Sequence, residues 1–197
     1  MEFVRLFSNE NAKGKQGYLA SQKYYEIGRT ALYFILSMAL FIMGYISTKT
    51  RANLLTVLAV LGCLPACKSL VEMIMYLRFS GMELSKAEKI KKMQLPLVQG
   101  FDFVFTSYQE NYVVDHLIIN QNQILGYSGN QKFPEEAFSK HIQNVCKLEG
   151  HKELSVKVFT DFEKYTERLK ELETKATKSE HHKKEEDLLR ILKSVSL

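Results

Sequence analysis

Lys68 and Glu72 are the residues whose type and place most invite a chemical reading. They stand four apart, hence on one face of a helix, inside the otherwise uncharged run ANLLTVLAVLGCLPACKSLVEMIMYL, residues 52–77. A buried ion pair there would mark a polar pathway or a bistable contact. Length argues for a plainer placement: the sixteen uncharged residues 52–67 nearly cross a bilayer, so both charges are expected at its inner interface with Lys68 reaching outward. Farther on, Asp115 and His116 are adjacent in VVDHLII. Strand neighbours point to opposite faces, so these two are not expected to form a dyad. His141 falls on the apolar side of its helix, as core histidines do, and His181 and His182 sit in a charged joint. The sequence has no Gly-rich phosphate loop, no GxSxG and no HExxH. Cys63, Cys67 and Cys146 supply neither a disulfide framework nor CxxC zinc spacing, which fits a reducing cytoplasm. No catalytic residue, metal or cofactor is expected.

The elements that position these residues begin with TALYFILSMALFIMGYIST, residues 30–48, which carries no formal charge. As a helix it would reach about 28 Å, close to the hydrocarbon thickness of a bilayer. With 52–77 it makes a transmembrane hairpin over 30–78. On the second helix Ala59, Gly62, Cys63 and Ala66 recur at steps of three and four, a small-residue face that lets another backbone approach. Its partner is the first span, through Ser37 and Gly44, or a second copy or another membrane protein. Pro65 is expected to bend that helix.

Of 27 Lys and Arg and 22 Asp and Glu, residues 1–78 hold nine basic against four acidic side chains, and the remainder is balanced. The excess lies beside the apolar runs. Two basic residues, Lys49 and Arg51, occupy the short turn, against Lys13, Lys15, Lys23, Arg29, Arg78, Lys86, Lys89, Lys91 and Lys92 on the other side. The positive-inside rule then puts both termini in the cytoplasm of a two-span cell-membrane protein. The lipid bilayer is the expected partner, with a homo-oligomer or a partner membrane protein; nucleic acid is not expected, because the soluble part has no net charge. Residues 1–29 stay on the chain as a juxtamembrane segment, since they lack the pattern of a cleaved signal. Phe3, Val4, Leu6 and Phe7 would form an interfacial anchor or a leader packed on the soluble domain.

From residue 79 to 178 the pattern is that of a cytoplasmic α/β (α+β) domain. LSKAEKIKKM, 84–93, reads as a short basic helix able to touch anionic headgroups. Strand signals follow at 101–108, 112–119 and 124–127, then a helix opened by Pro134 and stopped by Gly150, a strand at 154–159 and a helix from 162 to about 177. Residues 179–197 carry Leu188, Leu189, Ile191, Leu192 and Val195 on one stripe, a last amphipathic helix suited to packing on its own domain or on a neighbour.

The order helix, three strands, helix, strand, helix resembles the core of the PD-(D/E)xK nuclease-like fold, with Asp115 where that family places its first metal-binding aspartate. The resemblance is one of element order. The family then requires an acidic residue and a lysine one position apart on the third strand, and ILGYSGN supplies neither. It therefore implies the fold without the nuclease site, since the oxygen ligands for Mg²⁺ are missing. The expectation is a non-catalytic interaction, regulatory or sensory module on a membrane hairpin. A membrane-tethered nucleic-acid-processing protein and an oligomeric channel or transporter subunit are the alternatives.

Overall fold

A computed structural model describes residues 13–50, 53–108, 110–151, 154–175 and 182–197. The proposed anchor residues Phe3 to Phe7, and His181, lie outside them. The chain is mixed α/β, and it divides into two units: Leu19–Ser80, and Gly81–Leu197 together with residues 13–18.

The first unit is two helices, α1 (Tyr18–Thr48) and α2 (Leu54–Arg78). α1 starts well before the uncharged run 30–48, so residues 18–29 are continuous with it. Nothing in 18–29 stops a helix: Gly28 is the only weak former and no proline is present. At the turn, the Asn53 side chain accepts from the Thr56 amide at 2.8 Å and caps α2. The same side chain donates to the Gly44 carbonyl at 2.9 Å and to Thr48 Oγ1 at 2.7 Å. Gly44 is needed there, because a Cβ would lie 2.8 Å from Leu55 Cβ.

The two helices are antiparallel and meet along a seam with a seven-residue step. Thr30 Oγ1 lies 2.9 Å from Ser69 Oγ. One heptad on, a Cβ on Gly62 would lie 2.9 Å from Ser37 Oγ, and one more brings Gly44 against Leu55. Ala59, Ala66 and Ser69 are buried along this line, as are Thr30, Ser37 and Gly44 on α1. Steps of three and four are those of a coiled-coil seam, here filled with small residues that draw the backbones together. The large apolar side chains point away from it: Leu32, Ile35, Leu36, Met38, Val60, Leu61 and Leu64 are exposed.

The second unit is a four-stranded sheet between two pairs of helices. Its elements are α3 (Leu84–Lys92), β1 (Val98–Thr106), β2 (Asn111–Asn120), β3 (Gln123–Tyr127), α4 (Glu135–Leu148), β4 (Ser155–Phe159), α5 (Phe162–Lys175) and α6 (His182–Val195). Strand order is β1-β2-β3-β4; the first two pairings are antiparallel and β3 with β4 is parallel. The parallel pair requires a crossover, which α4 provides. On one face Phe138, Ile142 and Cys146 of α4 and Leu188 and Leu192 of α6 pack on Phe103, Phe105, Val114 and Leu117. On the other, Ala87 and Ile90 of α3 and Tyr165, Leu169 and Leu172 of α5 cover Phe101, Ile118, Leu125 and Tyr127.

The stripe of α6 is thus spent on its own domain. Ser196 bridges to Phe105, and the Leu197 amide donates to the Val104 carbonyl at 2.8 Å. Residues 13–18 also lie on this unit: the Phe101 amide donates to the Gly14 carbonyl at 2.9 Å, and Lys13 Nζ donates to the Ser196 carbonyl at 2.8 Å. A cation at the C-terminal end of α6 complements the helix dipole.

One break interrupts the β1–β2 ladder. Phe101 pairs with His116 and Phe103 with Val114, but Asp102 and Asp115 between them do not pair. Asp102 has φ +57°, a left-handed conformation that an Asp tolerates better than most residues. Phe101 and Phe103, only two apart, therefore serve opposite cores, and on β2 Val114 and Leu117, three apart, share one. Both strands shift phase together, so the register is kept.

Candidate functional site

Where the early part of α1 packs on the late part of α2 the structure assembles a polar cluster that the Lys68–Glu72 pair shows only in part. Arg29 is its centre. Its guanidinium pairs with Glu72 and, at 2.6 Å, with Glu26, and its Nε donates to Ser69 Oγ at 3.2 Å. Lys68 stands 3.9 Å from Glu72 with its side chain 81% exposed, so it is peripheral to the cluster. The pair is real as a contact, but Glu72 answers chiefly to Arg29 across the seam. A planar guanidinium serves two carboxylates and a hydroxyl at once, which an ammonium on the outer face of α2 does not. Of the small-residue face, Gly62 lies against Ser37 of α1, Ala59 and Ala66 are buried, and Cys63 is half-buried. This face is occupied by the chain's own first helix.

In the second unit, the phase break brings two carboxylates onto neighbouring strands. Asp102 is 4% exposed. Its Oδ1 accepts from the Met82 amide at 2.8 Å and its Oδ2 from the Gly17 amide at 2.7 Å, with the Tyr18 amide also donating to it. Burial holds this carboxyl above the usual range, against the pull of those amides. Asp115 is half-buried; its Oδ2 accepts from the Gly129 amide at 2.7 Å. Burial, seconded by the negative charge of Asp102, pushes its carboxyl up to about 6, while the Gly129 amide and Lys86 pull down. Lys86 itself donates to Tyr127 Oη at 3.2 Å and bridges to Glu83 at 3.4 Å.

His116 is not a partner of Asp115. It is fully buried, with Nδ1 2.7 Å from Tyr165 Oη and Nε2 3.1 Å from Gln99 Oε1. The amide oxygen can only accept, so Nε2 carries the proton and Nδ1 accepts from the tyrosine. Burial drives the imidazole down to about 3, and it stays neutral. His141 is half-buried, its ring 5.9 Å from that of Tyr112. Burial pushes the Cys146 thiol up to about 11, far from a nucleophile.

These groups do not fit a Mg²⁺ centre. Asp115 is committed to Gly129, Asp102 to amides, and β3 offers no carboxylate. Among the described residues no group of three or more His, Cys, Asp or Glu could hold a metal ion. Sequence reasoning missed Asp102, Glu26 and Arg29 as participants. The available signal for the first was an acid in the middle of the apolar strand FDFVF. No protein-family model, curated protein or solved structure matches the chain.

Proposed function

We propose that the chain is a two-span membrane protein whose hairpin, 30–48 and 52–77, holds a cytoplasmic, non-catalytic α/β domain serving interaction, regulation or sensing. One observation carries this reading. Both helices are long and apolar enough to cross a membrane, yet only 17% of either apolar window is buried, so their large side chains face outward. The core helix of a water-soluble protein hides such residues; in lipid the outward face costs nothing, and the polar groups belong on the seam, where Thr30, Ser37 and Ser69 stand. The bilayer is the first partner, and the exposed Lys89, Lys91 and Lys92 of α3 suit anionic headgroups. Membranes washed with alkaline carbonate should retain the full-length protein; its release to the supernatant would refute the reading.

A second reading, a membrane-tethered nuclease-like protein, is favoured by the antiparallel meander with a parallel fourth strand beyond a helix. The commitments of Asp102 and Asp115 oppose it. Full-length protein in mild detergent, incubated with DNA or RNA and Mg²⁺ or Mn²⁺, should leave the nucleic acid intact. Cleavage abolished by Asp115→Ala would establish the nuclease reading instead. For a channel subunit the polar cluster would have to face a wet interior, and the outward position of Lys68 gives no support to that.

A further inference from the structure

The connection entering α1 and the one leaving α2 converge on a single side chain. Gly17 immediately precedes α1, Tyr18 is its first residue, and Met82 follows α2 by four residues. All three offer their amides to the Asp102 carboxylate. The site is built around that carboxylate. Asp102 takes a left-handed backbone in mid-strand, at φ +57°. Gly17 turns at φ +80°. A Cβ on Gly81 would come within 2.9 and 3.0 Å of the two carboxylate oxygens. Strained backbone persists where the surroundings over-determine it, and such places are where a fold keeps devices rather than ballast.

We propose that Asp102 is a positioning residue that fastens both hairpin connections to one point of β1, so that whatever displaces β1 there releases the two connections together. The proposal rests on the two-span reading for its consequence: a partner bound to the domain would then be felt at both ends of the hairpin through one carboxylate. It also explains why the ladder breaks at this pair. A carboxylate in a regular strand would point to a sheet face, and the left-handed turn instead directs it to the backbone amides of the two connections.

Asn suits a left-handed position as well as Asp does, so Asp102→Asn keeps the backbone. It keeps one acceptor oxygen and turns the other into a donor that opposes an amide. In full-length protein in dodecyl maltoside micelles, amide exchange at Gly17, Tyr18 and Met82 should accelerate at least tenfold, with Val114, Leu117 and Ile118 unchanged. Loosening of only one connection would show two independent contacts and overturn the proposal. So would unchanged exchange at all three amides, or equal acceleration throughout the sheet. Gly81→Ala reaches the same carboxylate without altering its charge, and must loosen the same three amides even if the Asn variant does not fold. Carbonate extraction of both variants separates failure of this proposal from failure of the membrane reading.

Discussion

Replacing Asp115 by Asn should stabilise the domain at pH 8 and leave it little changed at pH 4. In the folded chain burial raises this carboxyl to about 6, against an ordinary value of 3.8. Below pH 3.8 it is protonated in both folded and unfolded chains and carries no penalty. As pH rises through 6 the native state must ionise a carboxylate that its surroundings disfavour, so stability is lost over that window. The rise from 3.8 to about 6 is worth roughly 3 kcal/mol, and partial exposure of the side chain trims it to about 1–3 kcal/mol. Asn keeps an oxygen for the Gly129 amide and never ionises. The assay is guanidinium unfolding of full-length protein in micelles, followed by far-UV circular dichroism. Tyrosine fluorescence is a second probe, since the chain has 10 Tyr and no Trp. The quantity to plot is variant minus parent, in which the opposite pH dependence of His116 cancels. A difference that is zero or negative at pH 8, or that does not change with pH, refutes the reasoning. A parent stabilised by Mg²⁺ only when Asp115 is present would point instead to a working metal ligand.

Other perturbations follow from the same geometry. Arg29→Ala leaves Glu26 and Glu72 without their shared cation and should lower the thermal stability of the hairpin by roughly 2–3 kcal/mol. Lys68→Ala, on the exposed face, should change it by less than about 0.5 kcal/mol; the reverse ranking in helical melting would place the polar centre wrongly. Gly62→Leu, driven against Ser37, should cost about 1–3 kcal/mol in the same assay, whereas Val60→Leu on the outer face should be neutral. His116 binds its proton at about 3 when folded and near 6.5 when unfolded. Its contribution is complete above pH 6.5 and is lost as pH falls towards 3, on the order of 5 kcal/mol in all; His116→Gln should flatten that acid limb in pH-dependent unfolding.

The parts of this molecule that were legible in the sequence are those set by local pattern. The uncharged run at 30–48 reports a long apolar helix, and the period-two run before Phe159 and the 3.6-residue spacing of Phe138, Ile142 and Cys146 each report burial on one face. The small-residue stripe at Ala59, Gly62 and Ala66 was legible for the same reason. What escaped depends on contacts between distant residues. Arg29 lies just outside the apolar run, where sequence shows only a flanking charge, although α1 continues through it and carries it to Glu72. Asp102 sits in FDFVF, where alternation leads to a regular strand, and only the amides of Gly17, Tyr18 and Met82 explain its left-handed backbone. The α6 stripe shows amphipathicity without showing its target, and its target is β1 and β2 of the same domain.

The central claim, a membrane-crossing hairpin with the domain inside, is tested most directly by sided cysteine labelling. In a chain with Cys63, Cys67 and Cys146 replaced, single cysteines go at Thr50, exposed in the turn, and at Tyr108, fully exposed between β1 and β2. Ser196 is too buried to serve. In intact cells a membrane-impermeant maleimide should label position 50 and should reach position 108 only after permeabilisation. Labelling of 108 but not 50 from outside would invert the topology, and equal access to both would remove the span.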